Sequence, residues 1–152
     1  MKAGALAIAL AIAPAGCMFD YDPDVGAPLP RGDDAGGTSG CDNTDSDLAV
    51  ATSFSIDVRP LMVRSPGGCA TCHLGRMVSG LDLSSYESMR RGGINSGTRV
   101  IVASEPCGSI LVQKLSRTPP FGSRMPFNGP PYFTAQEQLL VRDWIAEGAE
   151  NN

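Results

Sequence analysis

The sequence predicts an all-α domain of four or five short helices, and three observations carry that expectation. Apolar residues of the second two-thirds of the chain fall in short groups at helical spacing, as in Leu140, Val141, Trp144 and Ile145. Two groups are preceded by a Ser/Thr-x-x-Glu pattern, in which cap and third residue satisfy each other's backbone donors at a helix start. Finally, 18 Gly and 12 Pro among 152 residues require short elements joined by many loops.

The domain is expected to span 48–152. Phe54, Ile56, Val58, Leu61 and Met62 make a first apolar helix, with Ser53 or Ser55 as its N-cap. Pro60 lies inside it, so the helix should be short or irregular there. Gly67-Gly68 then breaks the chain. Ser84-x-x-Glu87 opens a helix through about Arg91, stopped by Gly92-Gly93. Ser104 and Pro106 suit the start of another helix, in which Ile110, Leu111 and Leu115 share a face. Thr134-x-x-Glu137 opens the last, which carries the Leu140 to Ile145 group and ends at Gly148. The tail Glu150-Asn151-Asn152 carries no recognisable signal.

Between the first two helices lies Cys69-Ala70-Thr71-Cys72-His73. C-x-x-C-H is the attachment signature of c-type haem. On one helical turn two thiols can each reach a vinyl group, and the histidine that follows is carried under the ring as proximal iron ligand. A structural zinc site would want four N/S ligands from two knuckles, and the chain has no second C-x-x-C or C-x-x-H. A thioredoxin-like redox pair would sit in a βαβ context that is not found here. About 105 residues rich in Gly and Pro would have a thin core; one covalent haem supplies the large apolar centre. The expected architecture is therefore four or five short helices around a covalent haem c.

His73 is the only histidine, which excludes bis-His ligation within one molecule. Met62 and Met89 fall in expected helices, where a buried Met is ordinarily core. Met77 is four residues past His73, on the same arm of chain, and badly placed to cross the ring. Met125 differs: it lies in a strap with prolines at 119, 120, 126, 130 and 131. Such a stiff segment has few conformations to lose in holding a weak thioether ligand over iron. Met125 is the expected sixth ligand; the alternative is that it packs a loop and the sixth position stays open.

Met1 to Gly16 reads as an export signal, with Lys2 as the charged region and Ala5 to Ala13 as an apolar run too short to span a bilayer. Pro14-Ala15-Gly16-Cys17 follows the pattern of a bacterial lipobox, apart from Pro14 where Leu is usual. Lipidation at Cys17 is expected, with ordinary cleavage near Ala15 as the alternative; each buried CH2 of an acyl chain contributes roughly 0.8 kcal/mol to anchoring. Met18 rather than Asp after the Cys favours the outer membrane, with the domain on the periplasmic side.

The net charge of -4 is unevenly spread. Segment 17–47 carries eight Asp and a single Arg, without hydrophobic periodicity, and reads as an acidic flexible tether. It has no D-x-[DN]-x-[DN]-G loop closed by Glu, so calcium is not expected. The absence of a basic patch with interleaved aromatics argues against nucleic acid.

With these motifs in place, residues 48–152 resemble a class I-type monohaem cytochrome c, closest to the planctomycete-type cytochrome c domains of bacterial cell-envelope proteins. The resemblance rests on Phe54 to Leu61, Cys69 to His73, Gly80-Leu81-Asp82-Leu83, Arg91-Gly92-Gly93, Ser109-Ile110-Leu111, Met125-Pro126 and Trp144 to Ala149. It implies thioethers at Cys69 and Cys72, iron ligation by His73 and Met125, and packing of the first helix on the last through Trp144. The chain departs from the pattern at Phe127, where a second Pro is common, and at Cys107, where Asp or a similar residue is usual.

Of five cysteines, one is the lipid candidate and two the thioether candidates, which leaves Cys41 and Cys107. In an oxidising compartment an even remainder points to a disulfide; two free or intermolecular thiols are the alternative. Three functions fit these features. The first is a membrane-tethered carrier passing single electrons between redox protein partners, with no bond chemistry of its own. The second is a non-catalytic haem subunit of a larger cell-envelope complex. The third is a haem enzyme or sensor with an open sixth site, which the lack of a second histidine disfavours.

Overall fold

The computed structural model describes residues 41–152. The export signal, Cys17 and the tether as far as residue 40 lie outside the described residues. Among those described, the chain is helical and contains no strand, as the capping boxes and helical spacing predict.

The first helix begins as a widened π turn, Phe54–Val58, and continues as α1, Arg59–Val63. Ser53 is its cap: the hydroxyl accepts from Ile56 N at 3.2 Å, and Asp57 reaches back to Ser53 N at 2.8 Å. The irregularity expected at Pro60 takes this form, because proline has no N–H to give and its ring crowds the carbonyl four residues back. The two remaining donors of the first turn are met by Asn152. Its side chain accepts from Phe54 N at 2.7 Å and its carbonyl from Ser55 N at 2.9 Å. The tail that carries no signal as sequence thus caps the first helix. Ile56, expected on the apolar face, is instead 74% exposed, since the π turn carries it off the 3.6-residue spacing.

The motif turn follows as α2, Ala70–His73. α3, Tyr86–Arg91, is capped by Ser85, one residue later than the Ser84 box predicts. Ser84 is occupied with Asp82, while Ser88 supplies the reciprocal bond to Ser85 N at 3.0 Å. The helix stops at Gly92, whose φ is +71° and whose Cβ, if it had one, would lie 1.8 Å from Gly97 O. The single helix expected from Ser104 and Pro106 is split into a 3-10 turn, Pro106–Gly108, and α4, Ile110–Leu115. The break is Ser109, fully buried, whose hydroxyl accepts from Val102 N and donates to Glu105 O; this local competition with helical bonding holds it extended. α5, Ala135–Ala146, opens with the predicted Thr134/Glu137 box and gives way to Gly148 at φ +111°.

The first helix and α5 cross at the centre of the core. Phe54 and Trp144 lie 5.2 Å apart between ring centroids, with Tyr86 edge-on to both. Val58, Met62, Met89, Val141 and Ile145 close around them. The polar ends of this cluster face one short stretch: Trp144 Nε1 donates to Glu150 O at 2.8 Å and Tyr86 OH to Ala149 O. Aromatic rings of this size carry their polar tips into a core only when a partner is supplied.

Residues 41–52 are fastened along α5. Cys41 is bonded to Cys107, and Cys107 N donates to Asn43 Oδ1 at 2.9 Å. Arg142 donates to Asp42 O, and the buried Asp143 accepts from both N and Oγ of Ser46 at 3.1 and 2.6 Å. Thr52 gives the same pair of bonds to Glu147. These bonds join residues 41–52 to α5 and to the turn that carries Cys107.

At the other end of α5, Arg64 forms a forked ion pair with Glu137, donates from Nε to Gly67 O and lies 4.8 Å over the Phe133 ring. The hydrogen bond from Arg64 holds the Glu137 carboxyl below the usual glutamate value. A lowered carboxyl contributes stability above its unfolded value of 4.5, lost as pH falls through the folded one. Glu137→Gln is expected to cost about 1 kcal/mol at pH 7, the scale of a partly exposed pair. Urea unfolding checks this: the gap should close as pH falls below 4, and an undiminished gap at pH 3 would contradict the assignment.

Candidate functional site

The motif turn is placed by the end of α1. Cys69 N donates to Met62 O at 2.6 Å, and Cys72 N and His73 N both return to Cys69 O. Gly68 makes this possible. A Cβ there would lie 2.4 Å from Arg64 O and 2.8 Å from Met62 O, both backbone atoms. Gly67, at φ +82°, brings the same loop against Pro131, at the end of the proline strap. The far end is held by Leu83 N, which donates to His73 O at 2.9 Å. Cys69, Cys72 and His73 thus sit on one turn pinned at both ends.

His73 is buried, with 8% of its surface exposed, and its Nδ1 has no hydrogen-bond partner. Burial pushes its pKa below the usual imidazole value against the opposing carbonyls of Leu81 and Val78, and the positive charge of Lys114 adds to the lowering. A neutral imidazole keeps a lone pair to give. A buried polar atom without a partner costs about 1–3 kcal/mol, so the site carries an unmet demand for a ligand.

The cysteines differ. Cys69 keeps a free, half-buried thiol, pushed up to about 11 by burial. Cys72 is disulfide-bonded. Thioether and disulfide are exclusive at one sulfur, so a haem-bearing form requires Cys72 to have released that partner.

The strap is docked on the C-terminal end of α4. Met125 N donates to Lys114 O at 2.7 Å, and Arg124 Nε donates to Leu115 O at 2.9 Å, its guanidinium 4.2 Å over Tyr132. Lys114 Nζ donates to Phe121 O and Ser123 O at 2.6 and 2.5 Å. Its burial lowers the ammonium to about 8. Met125 is half-buried in this strap. Met62 and Met89 are 2% and 1% exposed in the core, as expected of helical methionines, and Met77 points outward at 53%.

The residue types fit a haem. Two sulfur-bearing positions and an imidazole occupy one turn, the imidazole is neutral with an unpartnered nitrogen, and one half-buried thioether is carried by a stiff strap. Among the described residues no group of three or more His, Cys, Asp or Glu side chains converges as a metal site of its own, and no helix is long and apolar enough to cross a membrane. Lys114 and Arg64 are structural residues of the site that sequence motifs do not single out, and Gly68, expected only to break the chain, allows the close approach of the motif turn. A lysine four residues beyond a buried Ile and followed by a proline-rich loop is the faint signal available. No family model, curated protein or solved structure matches the chain.

Gly68→Ala is expected to destabilise the protein by about 2 kcal/mol or more, the scale of overpacking against rigid backbone, and to lower the yield of haem-bearing protein. Urea unfolding and haem stain per mass of protein check this; a variant equal to wild type on both would contradict the close approach.

Proposed function

We propose that residues 48–152 form a monohaem cytochrome c domain of the class I type, similar to planctomycete-type domains, that carries single electrons. One observation supports the reading above the others: the sole histidine of the chain is buried, neutral and short of a partner, directly after Cys72 in a C-x-x-C-H turn.

Bound haem c supplies iron that takes up and releases one electron. The chain's residues do the rest. Cys69 and Cys72 would hold the haem by thioethers. His73, on a turn pinned by the bond from Leu83 N to its carbonyl, would hold the iron through a ring nitrogen. Met125 would offer a thioether from the strap, and both residues sit on segments with little freedom to rearrange. No residue is assigned to bond chemistry, and the protein is not read as an enzyme.

Exposed apolar side chains lie close in sequence to both ligands: Leu74 and Met77 after His73, Phe127 after Met125. These suit brief docking of redox protein partners, where a small apolar contact favours rapid release. On this reading the export signal and Cys17 support a lipid-anchored domain on the periplasmic side of a bacterial envelope, by preference at the outer membrane. Service as a haem subunit of a larger complex uses the same site. A role as enzyme or sensor requires the sixth position to be open.

The test is the optical spectrum of full-length protein made in a host with haem-c maturation machinery, beside Met125→Ala. The wild type should show a covalent low-spin haem with a Met–iron charge-transfer band and a reversible one-electron wave; the variant should lose the band and gain carbon monoxide binding. A high-spin wild type that binds carbon monoxide readily would overturn the carrier in favour of the open-site reading.

A further inference from the structure

We propose that Lys114 is the positioning residue for Met125, clamping the strap so that its thioether is held in one place. The inference rests on the haem reading above and goes beyond it, since a C-x-x-C-H motif and a Met-bearing strap say nothing of what fixes the strap.

Lys114 is the penultimate residue of α4, which is rooted in the core through Ile110 and Leu115, 4% and 2% exposed. The stem therefore starts from a fixed point. Its ammonium donates to Phe121 O and Ser123 O, the carbonyls on either side of Gly122, and lies 4.8 Å over the Phe121 ring. Gly122 is at φ +51°, a left-handed conformation that turns those carbonyls onto a single donor. The backbone carbonyl of Lys114 itself accepts from Met125 N. One residue thus grips the strap at three successive points, two through its side chain and one through its main chain.

The charge makes this grip costly to replace. Among the described residues no carboxylate forms a salt bridge with Lys114; the half-buried cation is satisfied by peptide carbonyls and by the negative end of α4. Hydrogen bonds from a charged donor to carbonyls are roughly twice as strong as neutral ones. Prolines limit the conformations of the strap, but they do not attach it to the body of the domain; Lys114 and Arg124 do.

The experiment compares full-length holoprotein with Lys114→Leu and Lys114→Arg, reading the Met–iron band in the ferric state and carbon monoxide binding in the ferrous state. Lys114→Leu is expected to keep covalent haem and helical circular dichroism, lose most of the band, and bind carbon monoxide about tenfold faster or more. Lys114→Arg, which can still reach two carbonyls, should restore the band. Lys114→Gln, with at most one carbonyl in reach, serves the same comparison where the leucine variant does not accumulate. A folded leucine or glutamine variant with the wild-type band and binding rate overturns the clamp. A wild type without the band overturns the His73/Met125 pair itself, a separate outcome visible before any variant is made.

Discussion

His73 is buried, with its pKa lowered and its Nδ1 without a hydrogen-bond partner, and the structure around it accounts for that combination. Its turn is pinned to the end of α1 through Cys69 N and Met62 O, and α1 is held because Phe54 packs on Trp144 of α5. Burial costs a charged imidazole more than a neutral one, so the same packing that fixes the ring also keeps its lone pair free. A histidine at the surface would have water on both nitrogens and no bias toward a ligand. Here the polypeptide leaves a demand that a bound group can satisfy, in a domain whose own apolar core is small.

The second constraint is attachment at the ends. Short helices in a Gly- and Pro-rich chain have little cooperativity of their own, and most of their terminal donors and acceptors must be met from elsewhere. Ser53, Ser85 and Thr134 cap three starts from within. Asn152 completes the first from nearly one hundred residues away. Arg64 ties the end of α1 to the start of α5, and Cys41, Ser46 and Thr52 tie the entering chain to α5 and its neighbours. The domain is laced together by such long-range contacts as much as by its core.

Much of the helical framework was legible because it depends on local chemistry. Thr134-x-x-Glu137, Gly92 and the Val141, Trp144, Ile145 face act within one or two turns, and each lies where the pattern puts it. The misses have physical causes. Ser84 and Ser85 are equivalent by pattern, and only the competing bond to Asp82 decides between them. Ser109 breaks a helix through a buried hydroxyl network that no spacing encodes. Pro60 announces irregularity but not a π turn, hence the exposure of Ile56. Counting thiols leaves Cys41 and Cys107 either as a disulfide or as two free or intermolecular thiols, and the structure bonds them to each other. In the candidate site, the motif residues announce themselves by spacing, whereas Lys114 and Gly68 act through carbonyls distant or hidden in the chain, and carbonyls have no sequence signature.

The most direct measurement is peptide mapping by mass spectrometry of the full-length protein exported with haem-c maturation machinery, without reduction. Haem carried covalently on the peptide containing Cys69, Cys72 and His73, through both sulfurs, is the predicted result. Recovery of that peptide without haem, with Cys69 as a free thiol and Cys72 in a disulfide, would contradict a haem-bearing domain at its root.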